Sequence, residues 1–215
     1  MSHSFLAGFT TRAIAALTIA AAVAATATTA SAEDVSADQI VRALTKKPLT
    51  RSLSGARTDP AAAATENRFI DSLRNRTTRS LSLGEREQIA AVVADKPAID
   101  LEINFEYNSA EISASAMPAV AALGKALSDP SLKGSTFLVA GHTDAAGTNS
   151  YNQELSERRA DTIKRTLIEK YGINGSDLVS AGYGESKLKN PTAPLDAANR
   201  RVQVVTMSSR TAAAQ

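Results

Sequence analysis

Between about Lys96 and Ser208 the spacing of apolar residues switches repeatedly between the period of a strand and that of a helix, and this restricts the fold most. In chain order, this pattern predicts a strand through Ile99, Leu101, Ile103 and Phe105, a helix over 117–127, a strand over 137–140, a helix over 150–171, and strands over 178–183 and 201–207. The β-α-β-α-β-β order predicts an α/β fold, an α+β sandwich in which helices pack on one side of a small mixed sheet.

Polar and turn-forming residues indicate where the helices begin and end. Ser113 or Ser115 is a candidate cap for the helix over 117–127, and Gly172 is a candidate stop for the long helix. Further upstream, Ser82 and Glu85 have the spacing of a capping box.

The first 32 residues have the pattern of a secretory signal peptide. Arg12 precedes an apolar run over 13–25, and the segment ends in Ala30-Ser31-Ala32, which matches an A-x-A cleavage site. The apolar run is shorter than the ~20 residues that span a bilayer. We therefore expect a cleaved signal and a periplasmic protein, although retention of the segment as an anchor stays open.

Residues 33–95 are basic and have only short apolar clusters, among them Phe69, Ile70 and Leu73. Turn formers separate the clusters, and the segment has too few apolar residues for a core of its own. We interpret it as partly helical or as a solvated linker. Its positive charge would alternatively suit an envelope protein or anionic lipid headgroups. The basic residues are Arg42, Lys46, Lys47, Arg51, Arg57, Arg68, Arg74, Arg76, Arg79 and Arg86.

Composition excludes several classes of site. With no Cys and two His in 215 residues, neither a disulfide scaffold nor a metal site made of cysteines or several histidines is possible. A net charge of +2 gives no argument for nucleic-acid binding. No cofactor is expected, and residues 209–215 are expected to form a flexible tail.

One charged constellation stands out in the stretch from Gly141 to Ile163. At about 100° per residue, Asn152, Arg159 and Ile163 lie on one line of the long helix. An arginine on such an apolar stripe needs a partner or a ligand, and Asp144 is the nearest candidate. These two charges would suit a ligand with both an ammonium and a carboxylate group. An internal Asp144–Arg159 salt bridge that only anchors the helix is the alternative.

Three motifs resemble the OmpA-like C-terminal domain family. They are INFEYNSAEI at 103–112, GHTDAAGTNSYNQELSERRA at 141–160, and YGES with NRRVQV at 183–204. The resemblance covers about residues 99–207 and implies a two-layer domain, over 96–208, that binds diaminopimelate-type peptidoglycan and catalyses no reaction. By matched position it implies that Asp144 and Arg159 hold the diaminopimelate. It also implies that Asn152, Thr143, Leu155 and Asn108 contribute to the pocket; Asn108 stands where relatives often carry Asp. Arg201 could assist or could fix the sheet edge.

Two other hypotheses remain open. His142 and Asp144 are one residue apart and could act as base and helper in a hydrolase, although no nucleophile accompanies them. Alternatively, the domain is a partner-binding module that uses residues 42–86, with wall binding secondary. The family resemblance favours a wall-associated periplasmic protein, with the inner face of the outer membrane as one expected location.

Overall fold

The computed structural model describes residues 35–45, 60–106 and 108–209. The predicted signal peptide and the tail beyond 209 lie outside these ranges. The helices of the described residues are α1 (Ala37–Thr45), α2 (Pro60–Leu73), α3 (Leu83–Val93), α4 (Met117–Leu127) and α5 (Asn149–Tyr171). The strands are β1 (Ala98–Leu101), β2 (Thr136–Gly141), β3 (Leu178–Gly182) and β4 (Val202–Ser208).

The strands form one mixed sheet in the order β1-β4-β2-β3. Strands β2 and β3 are parallel and are joined by the crossover helix α5, whereas β4 pairs antiparallel with both β1 and β2. The predicted α/β class and mixed sheet are therefore confirmed. The first strand is shorter than its alternation predicted, because the chain turns after Leu101 and Phe105 instead forms an isolated bridge with Ile112.

Helices α1, α4 and α5 cover one face of the sheet. Their buried side chains, including Ile40, Val120 and Ile163, pack against Val139 and Val204 of the central strands. Alternate residues of the same strands point to the opposite face, as the pleat requires. Within residues 96–208 the two helices lie on this one side, so the predicted two-layer arrangement is confirmed for that part of the chain.

Helices α2 and α3 cover the other face and add a second helical layer. Ile70, Leu73 and Ile89 are each at most 1% exposed and pack against side chains such as Leu138 and Val205. The interpretation of residues 33–95 as a solvated linker is therefore wrong for residues 60–93. Its short apolar clusters build no core of their own because they complete a core whose other half is the sheet.

Four of the basic residues that the structure describes in this segment form ion pairs within the protein. The ion pairs are Arg74 with Asp71 and Asp177, Arg76 with Glu85, Arg79 with Glu154, and Arg86 with Glu157. In addition, Thr78 and Ser180 both donate to the carboxylate of Asp161, which joins the segment to β3 and α5. The pairs of Arg74 with Asp177, Arg79 with Glu154 and Arg86 with Glu157 also join the segment to the domain.

The helix boundaries follow local chemistry. Ser82 and Glu85 form the predicted capping box at the start of α3, and Gly172 ends α5 at a φ of +66°, where glycine is favoured. Neither Ser113 nor Ser115 caps α4, because a short 3-10 turn intervenes and places Ala116 at the N-cap. No helix in the ranges 35–45, 60–106 and 108–209 is both long enough and apolar enough to cross a bilayer.

Candidate functional site

The loop that leads from β2 into α5 carries the predicted acidic residue. The backbone amides of Thr143 and Ala145 donate to the carbonyls of Gly184 and Pro194, at 3.0 Å each, and so hold the loop against the segment before β4. Gly147 has a φ of +103°, a conformation open to glycine, and the next residue, Thr148, caps α5. These contacts fix Asp144 close to the start of α5.

Asp144 pairs with Arg200. The two side chains are 2.6 Å apart between Oδ2 and Nη1, and the Asp144 carboxylate also accepts a hydrogen bond from the amide of Ala146 at 3.2 Å. The Asp144 side chain is 14% exposed and that of Arg200 is 49% exposed. Among the described residues, no salt bridge joins Asp144 to Arg159. The alternative of a purely internal bridge between those two is therefore wrong, and the acid's partner is a residue that the sequence had not singled out.

Arg159 lies half-buried on α5, over the ring of Phe105. Its guanidinium carbon is 4.8 Å from the ring centroid, a cation–π geometry. The Nε group donates to the carbonyl of Ser109 at 3.2 Å. Burial lowers the pKa of Arg159, and the nearby Asp144 opposes that shift. In the part of the chain that the structure describes, the two Nη groups form no hydrogen bond or salt bridge, so they are available to an anion.

A cleft of about 380 Å³, counted to its open mouth, lies beside these charges. Arg159 and Arg200 both line it, and Phe105 and Ile103 supply apolar wall. Asp144 is not a lining residue, but it pairs with Arg200, which is. Two guanidinium groups therefore line one opening and a carboxylate is paired with one of them, which suits a ligand with an ammonium group and at least one carboxylate.

The other predicted site residues lie around the cleft rather than in its lining. Asn152 is 1% exposed and donates to Glu185, and Leu155 is 6% exposed. Thr143 is 2% exposed. Asn108 is exposed at a φ of +54° and accepts from the Tyr151 hydroxyl.

Through these contacts Asn152 joins α5 to the segment after β3, and Asn108 joins the loop after β1 to α5. Ligand contact by all four residues stays a prediction.

His142 does not have the geometry of a catalytic base. Its ring stacks on Tyr183, with centroids 5.5 Å apart, and it is 4% exposed. Burial, together with the charge of Arg201, lowers its pKa to about 3. Because His142 and Asp144 form no hydrogen bond with each other, the hypothesis of a base-and-helper pair is wrong.

The neighbouring arginines have roles that differ from the sequence-based expectations. Arg201 lies 3.4 Å from Asp100 and donates to the carbonyls of Asn199 and Lys187, so it secures the start of β4. Arg158 was expected to face solvent, but it is half-buried and its Nε atom is enclosed. An exposed arginine further along α5, Arg165, is therefore the better control for substitutions.

Within the described ranges, no group of three or more acidic or histidine side chains is arranged to hold a metal ion. The charges at the cleft are engaged with each other or with backbone groups. What the arrangement can do chemically is recognise charged groups of a ligand.

Comparison with known proteins identifies the domain. The OmpA family model matches residues 104–201. The chain is 34% identical over 113 residues to outer membrane porin F of Pseudomonas aeruginosa, which covers 52% of this chain and 32% of that protein. It is 40% identical over 77 residues to outer membrane protein A of Bordetella avium, covering 35% of this chain and 39% of the relative. The chain thus spans less than half the length of these relatives.

A solved structure, the cell wall anchor of the T6SS from Pseudomonas aeruginosa, aligns with a TM-score of 0.43 at 24% identity, covering 57% of this chain and 98% of that one. The family match covers α4, β2, α5 and β3 and includes the loop and helix that carry Asp144 and Arg159. The resemblance of the three motifs is therefore confirmed: this chain contains an OmpA-like domain.

Proposed function

We propose that the protein binds peptidoglycan non-covalently in the bacterial envelope. Diaminopimelate in the peptide stem is the group that it recognises. The observation that carries the proposal is a cleft lined by Arg159 and Arg200, with Asp144 paired to Arg200, in an OmpA-like domain. No reaction is required for this role, and the site offers no nucleophile with an adjacent base.

The ligand's charges match those of the cleft. A diaminopimelate residue in the peptide stem offers a free ammonium and a free carboxylate on the same carbon. The carboxylate would be held by the unengaged Nη groups of Arg159, in a two-pronged contact that a lysine could not reproduce. The ammonium would approach Asp144, whose carboxylate is fixed by the Ala146 amide.

Arg200 gives this mode of binding a second arginine. In the free protein it neutralises Asp144, and its half-exposed side chain can turn towards water at small cost. When the ligand's ammonium takes the place of Arg200 beside Asp144, Asp144 stays paired and Arg200 is free to bind a further carboxylate. The cleft therefore stays electrostatically balanced in both states.

The way Arg159 is held on α5 also supports recognition at the cleft. Phe105 and the carbonyl of Ser109 hold the Arg159 guanidinium on one side, so its position is set before the ligand arrives. Pre-positioned groups lose little side-chain entropy on binding. A flexible, fully exposed arginine would not have this advantage.

The test is co-sedimentation of the full-length protein with purified diaminopimelate-type sacculi. Asp144→Ala and Arg159→Ala should each weaken binding by at least about 30-fold, because each leaves a charged partner unpaired at a cost of about 2–5 kcal/mol. Arg165→Ala, on the exposed face of the same helix, is the matched control and should bind like the parent. Equal pelleting of the parent and the three variants would show that the protein binds sacculi through non-specific charge and not through the cleft.

The proposed location is the periplasm, in association with the cell wall. Residues 42–86 were the candidate contact for a second envelope partner. Since Arg74, Arg76, Arg79 and Arg86 are paired with acids of the same chain, no contact of the described residues favours that hypothesis.

A further inference from the structure

A second cavity lies on the opposite face of the sheet from α5, between helix α3 and the strands β1 and β4. It measures about 580 Å³, counted to its open mouth. Ala90 and Val93 of α3 form one wall and Val205 of β4 forms another. The floor and rim are polar and include His142, Lys96, Lys187 and Arg201. One wall of this cavity exists because α3 covers the second face of the sheet.

His142 turns its ring towards this second face. Leu138 and Ala140 precede it at alternate positions, and both belong to the core under α2 and α3. The ring stacks on Tyr183, which is part of the same core. His142 also lines the cleft beside Arg159, and its ring packs on Tyr183 in the core beneath α3.

Both ring nitrogens of His142 are enclosed, and neither has a hydrogen-bond partner of good geometry among the residues that the structure describes. The backbone of Lys187 lies close enough to the ring to oppose the fall in its pKa. A buried polar group without a partner is costly, and in native proteins it commonly marks a site for a ligand or water. Burial keeps the imidazole neutral by lowering its pKa to about 3. A neutral imidazole has one N–H to donate and one lone pair to accept.

The charged groups at the cavity are cationic, and their acidic partners lie outside its lining. Lys187 pairs with Glu87 at 2.8 Å, and these side chains are 41% and 50% exposed. The other two pairs are Lys96 with Glu66 and Arg201 with Asp100; Asp100 also pairs with Lys189 at 2.9 Å. The exposed Lys187–Glu87 pair contributes little to stability, so a carboxylate inside the cavity can compete with Glu87 for Lys187.

We propose that this cavity binds a small organic acid, in which a carboxylate is attached to an apolar body. The carboxylate accepts the His142 N–H and lies near Lys187 and Lys96. The apolar body lies between Ala90, Val93 and Val205. His142 and Arg201 line both this cavity and the cleft beside Arg159, but Asp144 and Arg159 do not line this cavity. Wall binding is tested with Asp144→Ala and Arg159→Ala, so the two proposals can fail separately.

The test uses the full-length protein and three probes. Hexanoate has both chemical features, 1-hexanol has only the apolar chain, and inorganic phosphate has only the charge. Binding is followed by the NMR signals of the His142 ring and by the thermal midpoint. We expect hexanoate to shift the ring signals and raise the midpoint at concentrations where the other two probes do neither.

Two variants locate the site. His142→Phe keeps the stack on Tyr183 but removes both nitrogens, and should weaken hexanoate binding by at least about tenfold. Ala90→Phe fills the cavity from α3 and should abolish binding while circular dichroism shows a folded protein. The proposal is overturned if hexanol matches hexanoate, if phosphate alone gives the same shifts, if hexanoate has no effect on the parent, or if His142→Phe binds hexanoate like the parent.

Discussion

Truncation of Ile89 tests whether the second helical layer is an integral part of the domain. Ile89 is 0% exposed and packs against the sheet, so Ile89→Ala removes fully buried methyl and methylene groups and leaves a cavity. Such a change costs about 2–5 kcal/mol of unfolding free energy. For a protein of this size that corresponds to a fall of about 4–20 °C in the thermal midpoint.

The assay is urea and thermal unfolding of the full-length protein, followed by circular dichroism. Leu83→Ala is the matched control, because Leu83 lies on the same helix and is 67% exposed; it should change stability by less than about 0.5 kcal/mol. Since α3 and the sheet share one core, we also expect a single cooperative transition. Equal effects of the two substitutions, or a separate early transition for residues 60–93, would refute the packing argument.

Three further predictions follow from buried and capping groups. Burial lowers the pKa of His142 to about 3 in the folded protein, against an ordinary value of 6.5, so its contribution to stability is complete above pH 6.5 and is lost as the pH falls towards 3. The difference in unfolding free energy between the parent and His142→Phe should therefore change by on the order of a few kcal/mol across that pH range. A difference that does not vary with pH would contradict this prediction. Gly141→Ala would place a Cβ 2.3 Å from the carbonyl oxygen of Ser156 and should lower the free energy of unfolding by more than about 2 kcal/mol. Gly84→Ala is the control, because a Cβ there would meet nothing within 4 Å; in the same urea unfolding experiment it should be neutral or slightly stabilising. The pKa of Glu85 is lowered to about 2, first by Arg76 and then by Ser82, so its stabilising contacts are present above about pH 4.5 and are lost as the pH falls through 2; a carbon-13 NMR titration of its carboxyl group with a midpoint near 4.5 would disprove this.

The strands and helices of residues 96–208 could be predicted because their apolar residues repeat with clear periods and end at turn formers. Gly172 and the Ser82–Glu85 pair specify helix ends through purely local chemistry, and both predictions are confirmed. The first strand was overextended because alternation at Ile103 and Phe105 also satisfies a bridge in a turn. Alternation alone does not distinguish these cases.

The second helical layer could not be predicted in the same way. Helix α2 contributes only two fully buried residues, Ile70 and Leu73, so its apolar stripe is weak. Its stability comes from a sheet face that lies more than 60 residues later in the chain, and a local pattern does not include that partner. The many arginines suggested a solvated surface, but most of those described are paired with acids of the same chain.

The site was predicted in part. The helical phase placed Arg159 on the inner side of α5, where the structure has it half-buried over Phe105. Arg200 was missed because it is adjacent to Arg201, and which of the two reaches Asp144 depends on where β4 begins. For Asn152, Thr143, Leu155 and Asn108, contact with the ligand stays a prediction.

The most direct test of the account is calorimetric titration of the full-length protein with two soluble stem peptides that differ only in their third residue. One carries diaminopimelate, and the other carries lysine, which lacks the carboxylate that Arg159 would hold. We predict that the diaminopimelate peptide binds at least about tenfold more tightly, and that Arg159→Ala removes this preference. Equal affinity for both peptides, or a preference that survives in Arg159→Ala, would contradict recognition through the Asp144, Arg159 and Arg200 cleft.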